Sequence, residues 1–396
     1  MSRRERGTSE WSGNAPYQTK KVTETKTKEG IKQKGKMSML EGQKLYKTRL
    51  SDRDIQILME LYQLQAIRAR DLVEAHFRGK EYGLQRLQRL CDKGYLERTF
   101  TVRENGQRNH SVYSISDKGV DELLKIQKIS QERRARDLKL PTMEMLTRID
   151  VSNVVINLEK AGWTFVGGRD AKPLLGLPAN SLLQCFLTSP KPAEERYRVY
   201  LMGRTIKENT LTKLITELEG NKYGSLILYK ADAVLEMTPA YKDFVKKVTE
   251  ERMLVNELCL VPMHEWVDKL SGTKQNFALN TMMYGGQMQL ERYLRKRYGK
   301  VKYGDNRYYF GNTIVEHGGN EYYVCNYLRC DLTALRALAE NYTIEDYRSM
   351  GKGVMVIAWM GHVDDVRETI DSVQERGFIQ VEGVTIQDII DGQTEE

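Results

Sequence analysis

The chain has 396 residues, of which 40% are hydrophobic and 29% charged, and its formal net charge is +8. This length favours two to four domains, each with room for a hydrophobic core. No stretch approaches the roughly 20 consecutive apolar residues that span a bilayer, so no membrane association is expected. The charged first residues lack an apolar run behind them, and the five cysteines are scattered. Together these features predict a cytoplasmic protein without disulfides or a secretory signal.

The excess positive charge lies entirely in the first 49 residues, which hold 13 Lys and Arg against 5 Glu. The remaining residues carry 49 basic and 49 acidic side chains. Few aliphatic residues and no helical period predict a disordered basic arm over residues 1–49. Two interpretations remain open, an arm that grips nucleic-acid phosphates and a solvated tail. Met37 and Met39 are alternative translation starts that would remove most of the arm.

Residues 50–130 show the order helix, helix, helix, β-hairpin, helix. The third helix is expected from Lys80 to Asp92, with Gly94 ending it. Two alternating, β-rich segments, 95–102 and 110–115, flank an Asn-Gly turn signal. This order predicts a winged helix-turn-helix domain, in which the third helix enters the major groove and the hairpin contacts the adjacent backbone.

The third helix is expected to bury Leu84, Leu87 and Leu90 and to expose a face without acidic residues. Arg can pair with guanine, and Gln with adenine, through two hydrogen bonds. The predicted DNA-contacting residues of this helix are Tyr82, Gln85, Arg86, Gln88 and Arg89, and those of the hairpin are Arg98, Arg103 and Arg108. The alternatives are an ordinary solvated helix face and a protein-binding module.

After a polar connector, residues 141–272 and 288–396 each alternate strands with helices. The pattern predicts a mixed α/β (α+β) protein, and the shared element order predicts an internal duplication. In the first half a strand is expected over 182–187 and a short helix over 264–270. Residues 273–287, which contain several Asn and Gly, are interpreted as a linker or mobile loop.

Several short motifs of this chain recur together in a known family. They are Leu50-Ser-Asp-Arg-Asp-Ile55, Leu84-x-x-Leu87-x-x-Leu90, Gly94-Tyr95-Leu96, Val112-Tyr-Ser-Ile115 before Lys118-Gly119, and, more weakly, Tyr200-Leu-Met-Gly-Arg-Thr205. Over roughly residues 50–265 the chain resembles the replication-relaxation family of plasmids and mobile elements. The resemblance implies a link to plasmid replication and DNA relaxation, and an α/β part similar to a restriction-endonuclease-like core.

A nuclease core of that kind needs carboxylates on two neighbouring strands to hold Mg²⁺, which polarises the phosphate and activates water. The comparable positions of the first half, 178–180 and 200–202, contain no acid. In the second half 323–327 is also without acid, although Glu316 and Glu321 lie nearby. We therefore expect two pseudo-nuclease domains with no catalytic residue, metal or cofactor. Cleavage by a divergent metal-dependent nuclease or relaxase is the alternative.

A second basic segment is expected on a helix over 288–298. Its predicted phosphate-contacting residues are Arg292, Arg295, Lys296 and Arg297, and its predicted inner face consists of Leu290, Tyr293 and Leu294. Charge runs on helices are usually solvated faces, but this one is dense in an otherwise neutral region.

The sequence thus predicts a double-stranded DNA-binding protein of a plasmid, phage or mobile element. It would be associated with the nucleoid or plasmid and act in replication initiation, maintenance or its transcriptional control. A homodimer and replication proteins are partners that the sequence leaves open. The rival functions are a divergent nuclease or relaxase and a protein-binding scaffold.

Overall fold

The computed structural model describes residues 19–20, 50–102, 108–129, 133–231, 238–250, 255–267, 274–305, 307–371 and 377–392. The arm predicted over residues 1–49 lies outside the described residues, except for the short strand Thr19–Lys20. The mixed α/β class is confirmed. The chain divides into two compact units, Met1–Asn153 and Val154–Glu396. Among the described residues, no helix is both long and apolar enough to cross a membrane.

The first unit contains three helices, a hairpin and a fourth helix in the predicted order. Its elements are β1 (Thr19–Lys20), α1 (Asp52–Leu64), β2 (Ile67–Arg68), α2 (Ala69–His76), α3 (Lys80–Asp92), β3 (Leu96–Val102), β4 (Arg108–Ile115), α4 (Asp117–Lys125) and α5 (Ala135–Leu138), followed by α6 (Thr142–Lys160). The strands form one antiparallel sheet in the order β1-β3-β4-β2. The prediction for α3 is confirmed at both ends.

Local sequence signals fix the ends of these helices. Ser51 caps α1 through a capping box with Asp54, whose carboxylate accepts a hydrogen bond from the Ser51 backbone N–H at 2.8 Å. Ser116 caps α4 by accepting a hydrogen bond from the Gly119 backbone N–H. Gly94, which follows the C-cap Lys93 of α3, has a φ of 77°, a left-handed conformation that favours glycine.

The inner face of α3 differs from the predicted one. Leu87 and Leu90 are buried as expected, but the expectation for Leu84 is wrong because this side chain is 39% exposed. Gly83 takes the inward position instead, since a Cβ placed there would lie 3.0 Å from the Val73 side chain of α2. The close approach of α2 and α3 therefore rotates the buried face by one residue, to Gly83, Leu87 and Leu90.

The second unit contains two five-stranded sheets. The elements of the first are β5 (Thr164–Gly167), α7 (Gly168–Leu174), β6 (Cys185–Thr188), β7 (Arg196–Met202), α8 (Glu208–Leu218), β8 (Gly224–Lys230), α9 (Pro239–Glu250) and β9 (Leu258–Met263). A hairpin of β10 (Glu265–Val267) and β11 (Lys274–Asn276) and the helix α10 (Phe277–Tyr284) follow. The elements around the second sheet are α11 (Gln287–Tyr298), β12 (Lys302–Tyr303), β13 (Thr313–His317), β14 (Asn320–Asn326), α12 (Leu332–Asn341), α13 (Ile344–Met350), β15 (Lys352–Trp359), the 3-10 helix Met360–His362, α14 (Val363–Asp371), β16 (Ile379–Val384) and α15 (Ile386–Asp391).

The two sheets have the same topology. Each keeps its strands in chain order, β5-β6-β7-β8-β9 and β12-β13-β14-β15-β16. In each sheet the first two pairings are antiparallel and the last two parallel. A helix, α8 or α12, lies between the third strand and the fourth in both cases, as a parallel connection requires.

Three predictions for the second unit need correction. The strand expected over 182–187 begins only at Cys185. The short helix expected over 264–270 is wrong, because Glu265–Val267 forms a strand paired with Lys274–Asn276. The stretch interpreted as a linker contains α10, which buries Phe277, Ala278 and Met282. Burial of these apolar side chains stabilises a helix where the Asn and Gly content alone favoured a loop.

Candidate nucleic-acid interface

The solvent-facing side of α3 carries four of the predicted contact residues. Tyr82, Gln85, Gln88 and Arg89 are all exposed, and 55% of Tyr82 is accessible. They lie on the side opposite Gly83, Leu87 and Leu90, which face the core of the unit. Three of them, Gln85, Gln88 and Arg89, carry side chains that can each make paired hydrogen bonds with a base edge.

Arg86 is placed differently from its prediction. Its side chain is only 18% exposed, and it turns toward the buried carboxylate of Asp54 at the start of α1. Its Nε donates to Asp54 Oδ1 at 2.9 Å, and its Nη2 donates to Asp54 Oδ2. Burial alone would raise the pKa of Asp54, but the bonds from Arg86 and Ser51 outweigh it and hold this pKa below 3.8. Arg86 therefore fixes α3 to α1 and does not project from the exposed face.

Arg98 of β3 extends the exposed surface of α3 toward the hairpin. Its Nη1 donates to Gln88 Oε1 at 3.2 Å, and its Nε donates to Ser111 Oγ at 2.6 Å. The guanidinium carbon lies 4.7 Å from the ring centroid of Phe100, within cation–π range. Helix and hairpin thus present one connected polar surface.

An acidic side chain also reaches this surface. Gln88 Nε2 donates to Asp92 Oδ1 at 2.8 Å, one helical turn away. The expectation of a face without acidic neighbours is therefore wrong at its C-terminal end. The cause is the i, i+4 spacing, which brings Asp92 beside Gln88 even though it lies beyond the predicted contact residues.

The hairpin tip is only partly described. Arg103 lies outside the described residues, and Arg108 is described only as the first residue of β4. The phosphate contacts predicted for Arg103 and Arg108 therefore stay predictions.

Sequence reasoning missed a cation at the N-terminal end of α3. The Arg53 guanidinium carbon lies 5.1 Å from the Phe77 ring centroid, and Phe77 makes an edge contact with Tyr82 at 5.9 Å. Arg53 and Tyr82 are both exposed, so a cation and an aromatic ring that share Phe77 as a neighbour are open to solvent. The sequence does show an aromatic residue, Phe77, just before α3. Its contact with Arg53 of α1 could be seen only in the folded structure.

The positions comparable to nuclease carboxylates carry other groups. Tyr200, on β7, is fully buried. Glu316 and Glu321 oppose each other across β13 and β14. Glu321 bonds to Lys302 and Lys352, which lower its pKa to about 2, so it is held as a carboxylate paired with two cations. Over the described part of the chain, no cluster of three or more His, Cys, Asp or Glu side chains could hold a metal ion.

The basic helix α11 has the predicted orientation. Arg292, Arg295, Lys296 and Arg297 are exposed, and Leu290, Tyr293 and Leu294 are buried. Arg297 Nε lies 3.8 Å from Glu382 Oε1, so part of its charge is compensated. The hydroxyls of Tyr293 and Tyr298 both donate to the same Glu382 carboxylate.

A buried polar cluster that no sequence pattern indicated joins the two sheets of the second unit. Arg329, which follows β14, is 8% exposed and donates from Nη2 to Glu195 Oε2 at 2.5 Å. Its Nη1 donates to the Tyr197 hydroxyl and lies 3.6 Å from Glu257. Two residues further on, the Asp331 carboxylate accepts a hydrogen bond from the Leu258 backbone N–H at 3.0 Å. This cluster links residues that are 73 to 134 positions apart in the chain and serves the packing of the unit.

Comparisons with protein-family models, curated proteins and solved structures found no match to this chain. Its candidate interface therefore rests on its own residues.

Proposed function

We propose that the chain is a double-stranded DNA-binding protein. In this proposal the first unit is a winged helix-turn-helix in which α3 enters the major groove and the β3–β4 hairpin contacts the adjacent backbone. The observation that carries the proposal is the connected surface of α3 and Arg98. It exposes two glutamines and an arginine beside a second cation bound to Gln88.

The side chains on this surface have different proposed roles. Gln85 and Arg89 are exposed and would contact base edges. Arg98 donates a hydrogen bond to Gln88, so the two side chains would meet the duplex already in a fixed arrangement. Arg86 is assigned a positioning role, because its guanidinium is committed to Asp54.

The second unit is proposed to contain two degenerate nuclease-like halves. Support comes from the identical strand order and direction of the two sheets, which an internal duplication would produce. With the family resemblance, this favours a protein of a plasmid, phage or mobile element acting in replication initiation, maintenance or its transcriptional control. Non-catalytic DNA binding is the proposed activity.

A selection of bound duplexes from a random pool tests the proposal. The full-length protein at near-physiological salt is expected to enrich one motif. The double variant Gln85→Ala/Arg89→Ala should lose it, since each lost base pairing costs about 1–3 kcal/mol. The matched control is Lys125→Ala/Lys128→Ala, two exposed lysines at and just beyond the C-terminal end of α4. An unchanged motif in the α3 variant would overturn α3 as the reader.

A further inference from the structure

Helix α11 and the edge strand β12 form a surface that combines cations with an exposed aromatic ring. Tyr303 is 55% exposed and pairs through its backbone with Thr313 of β13. Arg292, Arg295 and Lys296 are exposed on the neighbouring helix. We call these four residues the α11 surface.

The ring of Tyr303 is oriented by its hydroxyl. The hydroxyl donates to Glu291 Oε2 at 2.8 Å and accepts from Arg295 Nη2 at 3.4 Å. These two contacts hold the polar end of the ring against α11 while about half of the residue stays open to solvent. Because the ring is held in advance, a flat ligand that stacks on it would lose less conformational entropy on binding.

Positive charge is concentrated on α11, which carries Arg292, Arg295, Lys296 and Arg297 and a single acid, Glu291. Glu291 accepts from Tyr303, and Glu382 accepts from Tyr293 and Tyr298. Lys296 donates to the Asp391 carbonyl oxygen at 3.0 Å, which positions the ammonium beside the end of α15. The region outside the N-terminal arm is electrically neutral overall, so this is a local concentration of positive charge.

We propose that the α11 surface binds single-stranded nucleic acid. Arg292, Arg295 and Lys296 would contact consecutive phosphates, and one unstacked base would lie on the Tyr303 ring. A duplex would offer the phosphates but not the base, because its base faces are already stacked on one another. The inference goes beyond the proposed duplex recognition and does not depend on α3, which lies in the other unit.

Fluorescence anisotropy with a labelled oligothymidylate of 12 nucleotides tests this site in the full-length protein. Tyr303→Leu keeps an apolar side chain but removes the stacking ring, so it is expected to weaken binding about tenfold. Tyr303→Phe keeps the ring and should retain most of the affinity. Tyr309→Leu is the matched control, since Tyr309 is 54% exposed in the same unit and lies outside the α11 surface. The basic N-terminal arm contributes the same background to every variant.

Charge and position are tested separately. Arg292→Gln/Arg295→Gln/Lys296→Gln should reduce the salt dependence of oligothymidylate binding, whereas Lys207→Gln/Lys242→Gln/Lys246→Gln, three exposed lysines elsewhere in the unit, should not. An oligonucleotide carrying 5-iodouracil should photocrosslink to Tyr303, as read by peptide mass spectrometry.

Two results would overturn the inference. One is equal oligothymidylate affinity of Tyr303→Leu and Tyr309→Leu, with crosslinks confined to other segments. The other is a triple glutamine variant that loses duplex and single-strand binding equally, while Tyr303→Leu has no effect on either. That result would mean that the α11 surface binds the phosphates of a duplex. If the unmodified protein enriched no duplex motif but Tyr303→Leu still weakened oligothymidylate binding, the proposal of duplex recognition by α3 would fail and the α11 surface would stand.

Discussion

The guanidinium of Arg86 and the carboxylate of Asp54 form a two-bond ion pair that joins α3 to the first turn of α1. Asp54 also closes the capping box of α1 with Ser51, so one carboxylate serves two helices. The pair sets the angle at which the exposed face of α3 is presented. A change at Arg86 is therefore expected to act through stability and position.

Arg86→Ala should destabilise the first unit by about 1–3 kcal/mol, because it leaves the buried Asp54 carboxylate without its charged partner. Thermal unfolding monitored by calorimetry measures this loss. Arg89→Ala, on the exposed side of the same helix, should change stability by less than about 0.5 kcal/mol. Equal stability of the two variants would show that the ion pair contributes nothing to the fold.

The prediction for Arg86 shows where sequence periodicity is sufficient and where it is not. Apolar spacing placed α3 between Lys80 and Asp92 correctly. It could not show that Gly83 would lie against α2, a contact that turns the helix by one position and leaves Leu84 exposed. Arg86 was predicted on the outer face but forms an ion pair with Asp54, 32 residues earlier in the chain. The spacing of residues within one helix carries no information about such a distant partner.

The same limit applies to the second unit. Alternation of strands and helices was enough to predict two mixed α/β segments. The cluster around Arg329 could not be predicted from the sequence, because its partners Glu195 and Glu257 lie in the other half of the unit. Local composition also misled at Phe277–Tyr284, where Asn and Gly suggested a linker while burial of Phe277 and Met282 stabilises a helix.

Arg98→Ala should weaken duplex binding to the same extent for matched and mismatched sequences, since a backbone contact carries no base information. Loss of one phosphate contact should reduce the slope of log affinity against log salt by about 0.9. Titrations of the selected duplex at several salt concentrations measure this slope. Lys125→Ala removes a 70% exposed lysine of α4 and should leave the slope unchanged. A change of selected motif in Arg98→Ala would instead assign Arg98 to base recognition.

Purified protein with Mg²⁺ should leave supercoiled plasmid DNA intact. Tyr200, at a position where the family resemblance predicts a carboxylate in an active nuclease, is buried, and Glu321 is paired with Lys302 and Lys352. Gel electrophoresis after incubation with and without Mg²⁺ measures nicking. Mg²⁺-dependent nicking that is lost in Glu316→Gln or Glu321→Gln would refute the proposal of non-catalytic halves and favour the nuclease alternative.

Asp331 should make the second unit less stable as the pH rises from about 4 to about 7. Burial, and then the nearby Glu257 carboxylate, raise the pKa of Asp331 from 3.8 to about 7. Between these two values the folded protein binds more protons than the unfolded chain, so the free energy of unfolding falls as pH increases from about 4 to about 7. Asp331→Asn keeps the Oδ1 acceptor used by the Leu258 and Thr333 backbone N–H groups but cannot ionise.

The difference in melting temperature between Asp331→Asn and the unmodified protein isolates this effect from all other titrating groups. The variant should gain relative stability from pH 5 to pH 8, with most of the gain complete once Asp331 is ionised. Asp346→Asn is a matched control, because Asp346 also accepts hydrogen bonds at the start of a helix, in the capping box with Thr343. Its pKa is lowered, so its ionised form is favoured in the folded state. Its relative stability should fall as the pH rises toward 3.8 and then stay constant above about pH 5. Parallel melting curves for Asp331→Asn and the unmodified protein across pH 5 to 8 would show that Asp331 does not titrate in the folded state over this range.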